Sequence, residues 1–412
     1  MTIENAISSL LAEVTPVPER EQVSLCCATG RVLAEEVRAP FAVPHFPKSA
    51  MDGYAVRSEE VKDATPEKPV KLAVIGEILA GDDPAKVTAG SYGTAVRIMT
   101  GGAVPDGYDA VVKQEDTDYG ETEVNVFHGV SPYMNYCKVG EDIPEGSVVL
   151  PKGRRIGRVE AGVLASLGIP YVTVIRPVRV SILSTGSELS QLPREQDVNY
   201  AGFKVSQPPV GKIYNSIACT LSAGLPAAGF EVDSGICPDD TDEILRRLED
   251  ALIKSDIVIT TGGVSVGKRD LLPEVLEKTG AKKVFAGVDI QPGTPTIGSV
   301  KDGKVILSLS GNPYAALVNF DLYFWEVAAK LTGCSAFLPE RREAELASEY
   351  TKVNRHRRIL RAKEVNGKVY LPTKSHASSV LSNLLDCNCY IDLPAGKTVS
   401  YGDTVEILRM PG

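Results

Sequence analysis

The chain has 412 residues, 43% hydrophobic and 24% charged, with 37 Gly and 27 Pro. Single hydrophobic cores stop growing beyond ~250–300 residues, so about two to four domains are expected and disorder is excluded by the ordinary composition. The balance of 44 basic against 53 acidic residues gives −9 with no Lys/Arg stripe interleaved with aromatics, which excludes a nucleic-acid partner.

No apolar run approaches the ~20 residues of a membrane span, and Met1–Leu10 lacks a charged-then-apolar signal, so a cytoplasmic protein with no membrane partner is expected. The eight cysteines show no paired Cys-x-x-Cys spacing for zinc and read as buried or free thiols.

In chain order, Ile3–Val14 and Val23–Val37 carry apolar residues at helical spacing around Pro16 and Pro18, as in the outer helices of an elongated module. From Pro47 to Tyr136 the pattern shortens to β-type runs such as Val70–Ile75 and Thr94–Met99, broken by Gly and Pro. Val139–Gly140 marks a return and Glu160–Leu167 again reads as helix, so the β module is expected to be inserted into the first one. From Val178 strands and helices alternate: Val178–Leu183, a helix after Ser216, Phe230–Gly235, a helix after Thr241, Asp256–Thr260, a helix near Leu271, Val305–Leu309 and a last helix Ala315–Leu331. That rhythm predicts a parallel α/β unit. Glu345–Met410, with turns at Gly367 and Gly396, predicts a C-terminal β module. The expected organisation is multidomain α/β: 1–46 with 139–176, an inserted 47–138, an α/β domain 177–333 and a β domain 334–412.

In open α/β sheets ligands bind at the carboxyl ends of strands, and three such ends here carry polar, glycine-containing loops. Ile257–Gly267 runs from an apolar strand into Thr260, Thr261, Gly262, Gly263 and Ser265, where amides can approach a phosphate or ring closely and hydroxyls add donors. Ser308–Pro313 follows another apolar strand and precedes a helix whose N-terminus favours an anion, making Ser310, Gly311, Asn312 and Pro313 candidate contacts. Leu183–Leu189 has the same form, with Ser184, Thr185, Gly186 and Glu188. Any one loop reads equally as a plain Gly-rich turn, and Glu188 equally as a solvated surface residue; three together argue for a large anionic ligand. No Gly-x-Gly-x-x-Gly follows the first strand, which excludes the dinucleotide fingerprint.

These loops, together with Ser49–Ala55, Arg97–Gly102, Val104–Gly107, Val111–Glu115 and Gly140–Ile143 in that order, resemble the MoeA and gephyrin E-domain family, the molybdopterin molybdenumtransferases. The resemblance implies a MogA-like three-layer α/β molybdopterin-binding domain, an elongated helical and extended dimerisation domain, an inserted β-rich lid and a C-terminal β-barrel-like domain. It also implies a homodimer, a pterin substrate, and a reaction in which adenylylated molybdopterin is hydrolysed to release AMP while molybdate enters the dithiolene, with magnesium as cofactor. A MogA-type adenylyltransferase and recipient molybdoenzymes are the implied partners. Thr100 joins the implied pterin contacts. Carboxylates at family positions are Asp52, Asp142 and Asp270 as catalytic candidates, and Asp239, Asp240 and Asp270 as metal candidates. The residues alone leave open that Asp52 shapes its own turn and that Asp239 or Asp240 caps a helix.

The resemblance breaks on the oxyanion side. The family usually has Lys-Pro-Gly-Lys-Pro where this chain has Gln291–Pro295, so Gln291 and Thr294 replace both lysines and remove attraction for a dianion. The pattern Gly-Arg-x-x-Phe-x-Arg becomes His356–Arg361, placing His356 on the first arginine, keeping Arg361, and leaving Arg357 or Arg358 to compensate. Gln-Gly-Ser-His becomes His376–Ser379, keeping Ser378, and Ser187 replaces the usual aspartate. His356 and His376 are either replacement charges when protonated or exposed polar residues. The expected protein is a transferase with a re-made oxyanion site; the alternatives are a tungstate-using enzyme and a degenerate paralogue that carries pterin without inserting metal.

Overall fold

The computed structural model describes residues 1–87, 90–193, 207–264, 270–372 and 377–410. They form two compact units, one of 1–35, 153–161 and 171–412, the other of 36–152 and 162–170.

The larger unit is built on a six-stranded sheet of β1 (Arg179–Thr185), β2 (Glu231–Cys237), β3 (Ile257–Thr261), β4 (Lys282–Ala286), β5 (Ile297–Lys301) and β6 (Lys304–Leu309), in the order β2-β1-β3-β6-β5-β4. Every residue of β3 is buried, and its Ile-Val-Ile-Thr-Thr run suits a central strand covered on both faces. The pairings of β1 with β2 and β3, and of β3 with β6, are parallel. Register puts Thr185 beside Cys237, Ser184 beside Thr261, and Thr261 beside Leu309, so four carboxyl ends share one edge of the sheet.

The sheet is mixed, where the alternating pattern predicted a parallel one. β5 and β6 form an antiparallel hairpin, and β4 pairs antiparallel with β5. The hairpin turn is Asp302-Gly303, both at positive φ (50° and 76°), the conformation of a two-residue turn that matches strand twist.

Helices α1 (Ser216–Ser222) and α4 (Pro313–Thr332) cover one face, packing Ile217, Leu221, Phe320 and Phe324 on Ile182, Ile259 and Leu307. Helices α2 (Thr241–Lys254) and α3 (Leu272–Lys278) cover the other, packing Ile244, Leu248 and Leu272 on Val258 and Ile306. The result is three layers. α4 begins with Pro313 at its first turn and ends at Gly333 in the left-handed region, the usual punctuation for a helix of that length.

The strands β7 (Arg341–Leu346), β8 (Arg357–Val365), β9 (Lys368–Tyr370), β10 (Cys389–Leu393) and β11 (Thr404–Arg409) close in the order β8-β9-β7-β11-β10-β8, a five-stranded barrel with Leu346, Leu360, Ile391 and Ile407 in its core. α4 meets the barrel through Asp321, whose carboxylate accepts from Tyr390 Oη (2.7 Å) and Trp325 Nε1 (3.2 Å).

The helix predicted at the start of the chain is Ile3–Ala12, capped by Thr2. Val23–Val37 is not helical. Arg20–Ser24 pairs antiparallel with Tyr171–Ile175, and Leu25–Cys27 makes one 3-10 turn. Gly30, at φ 85°, comes so near Ala227 that a Cβ there would sit 2.8 Å from its carbonyl oxygen. Strand pairing and this close approach override the helical spacing. The smaller unit holds a five-stranded sheet in the order Ala110–Lys113, Gly53–Val56, Thr94–Ile98, Val70–Ile78, Glu123–Val126, over a core of Tyr54, Leu72, Val112 and Val124. Among the described residues no helix is long and apolar enough to cross a membrane.

Burial pushes the Asp321 carboxyl up from 3.8 to about 7, against the lowering effect of its two donors. A carboxyl raised on folding contributes stability that is complete below its unfolded pKa and lost as pH rises through about 7. Asp321→Asn lacks that loss, so its thermal midpoint relative to wild type is expected to climb by a few °C between about pH 4.5 and 8, roughly the effect of 1 kcal/mol in a protein this large. Calorimetry across that range checks it; a constant difference would overturn the assignment.

Candidate functional site

At the shared edge of the sheet lies a cavity of 730 Å³ lined by Thr185, Gly186, Ser187 and Glu188 after β1, Asp239 after β2, Gly262, Gly263 and Val264 after β3, Asp270 and Leu271, Pro295, and Ser310, Gly311 and Asn312 after β6. The three loops singled out from sequence therefore converge on one site.

The convergence depends on backbone. Gly262, at φ 90°, donates from its amide to Leu309 O (3.1 Å). A Cβ on it would lie 2.6 Å from Thr185 O, closer than any side chain tolerates. Ser184 and Thr261 stand behind this wall and not at its surface: Thr261 Oγ1 donates to Ser184 Oγ (3.0 Å), which donates to Asn215 Oδ1 (3.3 Å). Asn215 Oδ1 in turn accepts from Ala218 N and caps α1. Thr185 Oγ1 donates to Thr261 O (3.2 Å). In the third loop Asn312 N donates to Ser310 Oγ (3.2 Å), and Pro313 opens α4 without itself lining the cavity. The first-turn amides of that 20-residue helix place the partial positive charge of a helix N-terminus beside Gly311. Ser265 lies outside the described residues.

Of the carboxylates, Glu188, Asp239 and Asp270 line the cavity. Asp239 Oδ2 accepts from Ser187 N (2.8 Å), tying the loops after β1 and β2 together. Asp240 is the cap of α2, accepting from Glu243 N (2.9 Å), and is not a lining residue. Among the described residues no three Asp, Glu, His or Cys side chains gather closely enough to cage a metal. Val264, Leu271 and Pro295 were not singled out from sequence; apolar residues in loops carry no chemical signal.

Asp52, Thr100 and Asp142 belong to the smaller unit. Asp52 Oδ1 accepts from both Thr100 N and Thr100 Oγ1, each at 2.7 Å, and these two donors hold the exposed carboxyl below its ordinary range. Asp52 thus does fix backbone, but that of the Thr100 loop and not its own turn. Asp142 is exposed, with its amide donating to Val43 O (3.1 Å).

The oxyanion-side residues differ sharply in what they touch. Gln291 and Thr294 are exposed, and Thr294 Oγ1 donates to Ile290 O (2.5 Å). His356 is bonded through Nδ1 to Asp289. Arg357 forms a fork on Asp392, two bonds of 2.6 Å, and reaches Glu4. Arg361 is fully buried, stacked 3.8 Å over the Tyr314 ring and donating to Ala377 O and Val380 O. Ser378 receives Tyr314 N on its carbonyl (3.0 Å). His376 lies outside the described residues.

The three-layer α/β domain with glycine loops at its strand ends and the closed barrel after it each coincide with a known family model. Residues 1–168 match the family model described as the MoeA N-terminal region (domain I and II), 181–330 the probable molybdopterin binding domain, and 343–410 the MoeA C-terminal region (domain IV). The chain is 33% identical to the molybdopterin molybdenumtransferase of Staphylococcus epidermidis over 99% of its length and 95% of the relative's. It is 34% identical to that of Staphylococcus aureus, over 98% and 94%. The crystal structure of the molybdopterin biosynthesis MoeA protein from Pyrococcus horikoshii OT3 superposes with a TM-score of 0.83 at 29% identity, covering 100% of both chains. The chain belongs to the MoeA family.

Gly262→Ala is expected to destabilise the protein by about 1–3 kcal/mol, because a Cβ at positive φ meets a backbone oxygen. Gly311→Ala, whose Cβ would meet Gly262 Cα at an ordinary 3.4 Å, is expected to cost much less. Urea unfolding of the two variants side by side checks the ranking.

Proposed function

We propose that this protein is a molybdopterin molybdenumtransferase: it binds adenylylated molybdopterin, releases AMP and inserts molybdate into the pterin dithiolene. The observation that carries the reading is the convergence of the loops after β1, β3 and β6 on one cavity in a chain of this family.

The backbone at Gly262, Gly263 and Gly311 admits a flat ring or a phosphate at contact distance, and the N-terminus of α4 stabilises the phosphate charge. Ser310 and Thr185 add hydroxyl donors. Such binding fixes the anhydride relative to Asp270 and Asp239, which is where positioning lowers the barrier. Asp52, ionised through its Thr100 donors, is the candidate to orient or accept a proton from the attacking water, with Asp142 as a second.

Three carboxylates around a wide cavity, with no tight cage among the described residues, suit a cation that keeps waters and takes further ligands from substrate phosphate, as magnesium does. Asp239 and Asp270 would hold it, and when bound it supplies charge neutralisation at the phosphoanhydride. A homodimer, cytoplasmic location, a MogA-type adenylyltransferase as supplier and molybdoenzymes as recipients complete the proposal on the strength of the family.

AMP release from adenylylated molybdopterin, with magnesium and with or without molybdate, tests the reading. Molybdate-dependent release that falls at least about 100-fold in Asp52→Ala is expected, in line with loss of a general base. Tight pterin binding with no release under any condition would leave a carrier and sink the transferase.

A further inference from the structure

Another cavity, of 360 Å³, opens in the larger unit away from the strand-end loops. It is bounded by Ala228 just before β2, Trp325 in the second half of α4, the 336–340 segment that leads into β7, Arg409 at the end of β11, and Arg155. β2 begins beside this cavity and ends beside the one that the glycine loops line, so the two lie at opposite edges of the sheet. Along α4, at about 1.5 Å of rise per residue, Trp325 stands roughly 20 Å beyond Asn312.

Its lining joins aromatic surface to an excess of positive charge. Trp325 and Phe337 stack with their ring centroids 6.0 Å apart, and Phe230 meets Trp325 edge-on at 6.2 Å. Trp325 Nε1 is already engaged by Asp321, so the indole offers the cavity ring surface and no donor. Arg155 donates from Nη2 to Ala227 O (3.0 Å) and lies 5.7 Å over the Phe337 ring, two contacts that hold its guanidinium at the wall; among the described residues no carboxylate pairs with it. Arg409 reaches Glu340 only at 4.0 Å, the outer limit of an ion pair. Two guanidiniums thus face one distant carboxylate beside an aromatic floor, in a volume that small-molecule sites commonly have.

We infer that this cavity is a binding site for a small aromatic anion of the nucleoside monophosphate class, with the base against Trp325 and Phe337 and the phosphate on Arg155 and Arg409. A guanidinium offers phosphate oxygens two parallel donors, and an aromatic floor favours a planar ring over an aliphatic chain. An uncharged ring would leave the guanidiniums without an anion, and inorganic phosphate would leave the aromatic floor wet, so neither half of the ligand accounts for the lining alone. The inference does not need the transferase reading for the presence of the site; it rests on that reading only in that AMP, the product released there, is a member of the class.

Trp325 is the chain's single tryptophan, so its fluorescence reports on this cavity directly. AMP, adenosine and inorganic phosphate are titrated into the full-length wild type, Arg155→Met and Glu340→Gln while that fluorescence is followed. AMP is expected to quench it saturably, with adenosine and phosphate each much weaker. Arg155→Met should bind AMP at least about tenfold more weakly, through loss of a charge-assisted fork, and Glu340→Gln more tightly than wild type, through loss of the one opposing charge. Binding of AMP elsewhere on the protein predicts no such opposite pair of shifts. No saturable quenching by AMP, an equal response to adenosine or to phosphate, or an AMP affinity that folded Arg155→Met leaves unchanged overturns the inference. Should Arg155→Met not fold, Glu340→Gln, an exposed position, decides it: unchanged or weaker AMP binding there overturns it equally. AMP release from adenylylated molybdopterin is read in parallel. The expected quenching in a protein that releases no AMP defeats the transferase reading alone, whereas AMP release with no response at Trp325 defeats this inference alone.

Discussion

The larger unit is organised by the burial of α4. Tyr314, Phe320, Phe324 and most of the residues between them are closed off from water, so the helix cannot shift without opening the core. Three separate contacts hang from this one rod. Its first turn faces the cavity beside Gly311 and Asn312; Asn319 Nδ2 donates to Gly293 O (3.0 Å) and to Thr296 Oγ1; Asp321 holds Tyr390 of the barrel. Tyr314 Oη adds a fourth, donating to Ile359 O and accepting from Arg361 N, both at 2.7 Å. At about 1.5 Å of rise per residue, the seven steps from Tyr314 to Asp321 set these attachments within ~10 Å of one another along the axis. Cavity, loop and barrel are thus placed by a single element.

That arrangement separates two kinds of recognition. The wall made by the glycine loops is backbone, closed by Gly262 against Thr185 and supported by the hydroxyls of Ser184 and Thr261 and the side-chain amide of Asn215, none of which lines the cavity. Gln291, Thr294, His356 and Ser187, where the sequence departs from the pattern it resembles, present side chains in loops or at strand ends. A backbone wall tolerates no change without a steric penalty, whereas a side-chain contact can be exchanged for another of similar charge nearby.

The central strands and helices were legible because each was a long apolar run or a strongly periodic one, and β3 with its Thr-Thr-Gly-Gly end was the clearest. The barrel and the inserted β module were visible as short runs broken by Gly. Val23–Val37 misled because its apolar spacing is satisfied by strand pairing around Gly30, a tertiary effect that periodicity cannot report. β4 and β5 were passed over although Asp302-Gly303 is a standard hairpin signal; reading the unit as uniformly parallel hid it. In the site, residue type marked the loops correctly but could not distinguish a surface hydroxyl from one behind the wall, as with Thr185 and Thr261, nor a capping carboxylate from a cavity one, as with Asp240 and Asp239.

The short pairing of Ile290–Gln291 with β8 has a mechanical meaning. A closed barrel offers few free edges, and this one spends part of an edge on the very segment that runs on to Pro295 in the cavity wall. Barrel and cavity are therefore geared together: a displacement of β8 pulls on the segment, and the segment reshapes the wall. The shape of the cavity wall is thereby tied to the start of β8 through a ladder only two residues long.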